Sequence, residues 1–143
     1  MSRPFPLAGL LRLRQLQEDR AAAALAIANR EAALHSARVA AVRRDLRGTA
    51  GAEITDATSL RAVAAARASG RSMLASLEAL SGNSREAADE ALEAFTQARV
   101  QSAGLEKLQN RHNESEAVDE LRIDQAALDE LALMAQSALL KGV

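Results

Sequence analysis

The chain contains no cysteine, no tryptophan and no tyrosine, and only two phenylalanines, Phe5 and Phe95. Without cysteine, neither a disulfide framework nor a thiolate zinc site can form, which fits a reducing compartment. Without large aromatics, a chain of 143 residues has little with which to fill a thick core. Proline is confined to Pro4 and Pro6, so nothing downstream interrupts a helix by ring geometry. No run approaches the roughly 18 apolar residues of a membrane span. The opening stretch carries Arg3, Arg12 and Arg14 without a continuous apolar core and does not read as a signal peptide.

What the chain has is alanine and leucine, the two strongest helix formers. Long helices paired along thin seams need only one narrow apolar stripe each. The expected fold is therefore all-α: a long antiparallel two-helix coiled coil with a shorter helical segment near its tip, forming one elongated domain over residues 1–143. Pro4 and Pro6 mark the entry to a first helix over about 6–47. Its heptad seam reads Leu7, Leu11, Arg14, Glu18, Ala21, Leu25, Ala28, Ala32, His35, Val39, Val42 and Leu46, with Leu10, Leu13, Ile27 and Leu34 on a neighbouring stripe.

Gly48-Thr49-Ala50-Gly51-Ala52 is the clearest break. Asp56, Thr58 and Ser59 are the candidate caps of a second, short helix over about 58–81. Its seam is Leu60, Val63, Arg67, Gly70, Leu74 and Leu77, with Met73 and Leu80 alongside. Ser81-Gly82-Asn83-Ser84 reads as a further break or kink, with Asn83 and Glu86 spaced as a capping box. A last long helix is expected over about 84–140, patterned at its end by Val118, Leu121, Gln125, Leu128, Ala132, Ala135 and Leu139. Leu105 and Leu108 fit another phase, so a stutter or local register shift is expected near the polar stretch 111–116.

Charge is polarised. Residues 1–48 carry nine Arg and four acids, residues 84–143 carry twelve acids and six bases, and the middle balances at three each. The simplest physical reading is that the first and last segments pair, with flanking charges selecting the partner. A nucleic-acid arm is the competing reading of the Arg-rich segment, and it lacks the aromatics that stack on bases.

Catalytic chemistry has little to work with. His35 and His112 each sit alone on a helix, without the spacing of a metal site. Pairs such as Asp89–Glu90 and Glu114–Glu116 would need a desolvated pocket to act as acid and base, which a helical pair does not supply. No phosphate loop follows Gly48 or Gly51. No enzyme, no cofactor and no metal is expected. Interaction remains, and two regions stand out: the end formed by both termini (Leu10, Leu11, Arg12, Arg14 with Leu128, Asp129, Leu131) and the tip side (Val39, Val42, Arg43, Leu46, Leu74, Leu77). For each apolar residue among these, an ordinary place in the seam is the competing reading.

The two ends carry a family resemblance. Phe5-Pro6-Leu7, Leu10-Leu11-Arg12-Leu13-Arg14 and Glu18, together with Leu105-Glu106-Lys107-Leu108, Arg111, Glu116, Glu120 and Leu128-Asp129-Glu130-Leu131-Ala132, resemble the flagellar export protein FliJ family. The likeness covers about the first 30 and last 40 residues; the middle agrees only in character. The resemblance implies a non-enzymatic part of the flagellar type III export apparatus, cytoplasmic and peripheral to the inner membrane at the flagellar base. It implies a coiled coil like the stalk of rotary ATPases, which meets a FliI-like export ATPase with its terminal end. It also implies contact with the FlhA-like export gate and escort of export chaperones; no nucleic-acid partner is expected. Some members carry aromatics at the tip where this chain has Val39, Val42 and Leu46. An injectisome stalk protein is a near relative, and a generic helical scaffold or chaperone shares the same composition.

Overall fold

The structure, a computed structural model, describes residues 3–142. Two long helices account for nearly all of it: α1 (Ala8–Gly48) and α2 (Ala57–Lys141), joined by a single 3-10 turn at Thr49–Gly51 and a short extended stretch. The described residues contain no strand. Tertiary contacts divide into two compact units, a terminal unit (Met1–Leu16 with Arg99–Val143) and a loop unit (Gln17–Ala98).

In the loop unit the helices run antiparallel. Arg43 bonds Glu78, Leu46 lies over Gly70, and Arg67 Nη2 donates to Thr49 O at 3.1 Å, so partner numbers fall as α1 advances. The solvent-shielded positions of α1 are Glu18, Ala21, Leu25, Ala28, Ala32, His35, Val39, Val42 and Leu46, with Ala41 at the margin. Those of α2 are Val63, Arg67, Gly70, Leu74, Leu77, Ser81, Ser84, Ala88, Ala91, Phe95 and Ala98. Alternate steps of three and four keep such positions on one face of a supercoiled helix. A β-carbon at Gly70 would stand 2.6 Å from Leu46 Cδ2, so the missing side chain is what admits Leu46.

The seam matches the sequence pattern with two shifts. Leu7 precedes the helix and stays 39% exposed, because α1 begins at Ala8 and the Leu7 carbonyl serves as acceptor for Leu11 N–H. On α2, Leu60 is 53% exposed and Ser59 is the half-shielded residue, held in the cap with Asp56.

The expected break at Ser81–Ser84 is absent. The helices expected over 58–81 and 84–140 are one 85-residue helix. Gly82 and Asn83 are weak helix formers, costing about 1 kcal/mol or less each. Seam positions Leu77, Ser81, Ser84 and Ala88 stay in step across them, and tertiary packing outweighs that local preference. Asn83 therefore caps nothing.

Asp56 is the cap of α2. Its Oδ1 accepts the Ser59 N–H at 2.7 Å while the Ser59 hydroxyl accepts the Asp56 N–H at 3.0 Å, a reciprocal capping box built with serine at its third position. The Ser59 backbone bond first, then the Ser59 hydroxyl, hold the Asp56 carboxyl below its usual value of 3.8. A lowered folded pKa stabilises the helix end above the unfolded aspartate range, and that contribution is lost as pH falls through the folded value. Amide protection at Ser59 and Leu60 is expected to be constant above about pH 5 and to fall on acidification. Asp56→Asn, which caps without titrating, should abolish that pH dependence; its persistence in the variant would place the titrating group elsewhere.

His35 occupies a seam position, and its Nδ1 is shielded from solvent with no hydrogen-bond partner among the described residues. An orphaned polar atom costs roughly 1–3 kcal/mol. His35→Leu is expected to raise the urea midpoint, by about 1 kcal/mol or more in stability. A lowered midpoint would show that the imidazole supports the pairing.

Candidate functional site

In the terminal unit the pairing continues antiparallel. Arg14 Nη1 donates to Gln101 Oε1 at 2.7 Å and Gln15 Nε2 to Glu106 Oε1 at 3.5 Å. Leu11 is buried at 5% exposure and Ser102 is fully buried, its hydroxyl directed to Arg99 O. The shielded face of α2 then runs Leu105, Gln109, His112 and Glu116, with Ala103 and Glu106 at its margin.

Ahead of α1 the chain lies as a strap on α2. Arg3 N–H donates to Glu116 Oε2 at 2.8 Å. His112 Nε2 lies 2.9 Å from Arg3 O, and since a carbonyl only accepts, the ring nitrogen is the donor there. The Phe5 ring packs on the His112 ring with centroids 5.7 Å apart, and the Phe5 carbonyl accepts the Ala8 N–H that opens α1. His112 thus anchors the start of α1, a role invisible in sequence because its partners lie more than a hundred residues away. His112→Ala is expected to free the strap. Amide exchange at Ala8 and Leu11 should rise several-fold while exchange at Val39 is unchanged; equal exchange at all three positions in variant and parent would remove His112 from that role.

Beyond Glu116, every residue from Ala117 to Gly142 is exposed, although α2 continues to Lys141. Leu121, Leu128, Leu131, Leu139 and Leu140 are between 62% and 75% exposed. The expectation that the whole acidic last segment pairs with α1 is corrected here: five of its twelve acids lie beyond Glu116. The expected register shift lies at the end of the polar stretch 111–116, since the steps of three and four continue to Glu116. The phase change falls just after it. Val118 follows by two residues, about 200° around the helix, so the stripe Val118, Leu121, Gln125, Leu128, Ala132, Ala135 and Leu139 turns away from the covered seam.

The terminal-end residues singled out from sequence separate into three settings. Leu11 is spent in the seam and Arg14 is half-buried beside Gln101. Leu10 and Arg12 are exposed on α1. Leu128, Asp129 and Leu131 are exposed on the overhang, with Leu128 about 24 Å along α2 from His112. The two halves of that end are not brought together as one surface. On the tip side, Val39 is buried at 7%, and Val42, Leu46, Leu74 and Leu77 are half-buried in the seam. Only Arg43 is exposed, in a 2.6 Å ion pair with Glu78, a surface pair worth about 1 kcal/mol at most. The exposed apolar residues of the loop unit are instead Ile27, Leu34, Ile54, Leu60, Met73, Leu80 and Leu92. Apart from Ile54 in the connection, their one sequence signal is a place just beside the shielded positions, as with Leu34 before His35 and Leu80 before Ser81.

Among the described residues no group of three His, Cys, Asp or Glu is placed to hold a metal, and no helix is long and apolar enough to cross a membrane. The geometry is that of an all-α coiled-coil protein whose unpaired helical surface is its most conspicuous chemistry. The Flagellar FliJ protein family model matches residues 2–138, and the chain belongs to that family. No match was found among curated proteins or among solved structures. Family membership gives the protein a role related to flagellar export.

Proposed function

We propose that the protein is a non-enzymatic, stalk-like component of the flagellar type III export apparatus that engages a FliI-like export ATPase through its terminal end. The observation that carries this reading is the family match over residues 2–138. The exposed overhang adds physical support, since contiguous apolar surface on a helix marks a place for a partner. On this reading Leu128, Asp129 and Leu131, with Leu10 and Arg12, meet the ATPase, while Leu11 and Arg14 hold the helices that present them. The face around Val39, Val42, Arg43, Leu46, Leu74 and Leu77 meets a FlhA-like gate; Arg43 and the neighbouring Met73 and Leu80 supply its solvent-facing contacts. The protein also assists delivery of export chaperones and substrates, without nucleic acid, and works in the cytoplasm at the inner-membrane side of the flagellar base.

The test is stimulation of the cognate export ATPase. Addition of the protein should promote ring assembly and raise turnover several-fold. Arg12→Glu combined with Leu131→Glu should weaken that effect about ten-fold or more in half-maximal concentration with helicity unchanged. No effect of the unmodified protein on assembly or turnover would end the stalk reading.

A further inference from the structure

We infer that the cleft between α1 and α2 at Ser36, Arg43, Ser81 and Arg85 receives a carboxylate side chain from an acidic segment of a partner protein. The cleft encloses about 250 Å³, less than the ~300–1,000 Å³ of small-molecule pockets, which suits one side chain rather than a cofactor. Val39 and Ser81 are its buried residues. Ser36, Ala40 and Gly82 are small and leave it open between the helices; a β-carbon at Gly82 would meet no atom within 4 Å.

Ser81 points to a ligand. It is only 6% exposed, yet its hydroxyl makes no hydrogen bond to any described residue. A helical serine commonly turns its hydroxyl back to the carbonyl one turn earlier, as Ser76 does to Ser72 O at 3.2 Å and Ser84 to Leu80 O at 2.9 Å. Ser81 does not. Nor is its oxygen shut off from solvent as His35 Nδ1 is, so it opens into the cleft that it lines. Arg85 follows one turn later, lines the same cleft and has no acidic partner among the described residues. Residues four apart on a helix are neighbours, so the Ser81 hydroxyl and the Arg85 guanidinium can donate to one carboxylate, a charge-assisted arrangement.

Charge and donor type select the occupant. Glu78 is the one acid lining the cleft, and it is already paired with Arg43. A second acid therefore meets the open Arg85, whereas a basic side chain is repelled. The backbone N–H groups here belong to helix interiors, so the nest of free amides that cradles phosphate is missing. An acid borne on a protein segment also brings adjoining side chains against Ala40 and against Leu92, exposed two turns beyond Arg85, contacts that a free ion lacks. The inference rests on the gate contact proposed above only for which protein supplies the acid.

The test is an NMR titration of the full chain with a blocked, alanine-based helical peptide bearing glutamates, up to about 10 mM. Amide shifts at Ser36, Ser81, Gly82 and Arg85 should saturate, and added salt should weaken the binding. The glutamine counterpart of the peptide should not bind, and acetate or inorganic phosphate should bind at least about ten-fold more weakly. Arg85→Gln should weaken peptide binding about ten-fold and Ser81→Ala several-fold, whereas Arg44→Gln, exposed outside the cleft, should not. Gly82→Leu fills the cleft and should abolish binding with helicity intact, leucine being the better helix former. Absence of shifts in the cleft, acetate or phosphate binding as well as the peptide (an adventitious ion only), or equal weakening by Arg44→Gln would overturn the inference. No export component enters the titration, so its failure leaves the export role standing, and a failure to stimulate the ATPase leaves the cleft standing.

Discussion

A seam one side chain deep, stepping alternately by three and four residues, holds α1 to α2. Among the described residues only Leu11, Val39, Ser81 and Ser102 are buried in it. Burial stabilises roughly in proportion to apolar area, so a seam of alanines, serines and scattered leucines contributes modestly per turn. The helical propensity of alanine supplies part of the rest. The ends matter correspondingly. The reciprocal Asp56–Ser59 cap satisfies donors that the start of α2 would leave bare, and the Arg3–Phe5 strap on His112 and Glu116 does similar work for α1.

The α1 seam was legible because its spacing holds from Leu11 to Leu46 without a lapse, and the loop was legible from two glycines in four residues. Other features were not. Gly82 and Asn83 announce a break by local tendency, yet they leave Leu77, Ser81, Ser84 and Ala88 in step, and the helix runs through. Segment charges hinted at pairing between the two ends of the chain but not at its extent, since net charge carries no register. The strap was hidden because Phe5 and His112 are distant in sequence and neither is unusual alone. The candidate site was read least well. Leucine and valine serve equally in a seam and at a surface, so Val39 and Leu11, chosen as contacts, proved to be core, while Met73 and Leu80 stand free.

One helix thus has two regimes. Up to Glu116 its shielded face is matched by α1 and by the strap ahead of it; after it, an apolar stripe turns to another side and stays exposed in the described chain. That division separates residues that hold the protein together from residues available to others. It gives the family assignment a physical counterpart: an export component acting by contact needs helical surface that its own fold has not consumed.

Gly70 has a further consequence. A seam built on sevens is nearly indifferent to sliding one helix past the other by one heptad, because alanine and serine replace each other at little cost. Leu46 is not indifferent. Slid by seven residues, it would face the position of Val63 or Leu77, where a side chain stands, instead of the gap over Gly70 that receives it. The missing β-carbon works as an index mark, a single notch that tells an otherwise repetitive pair of helices where to stop.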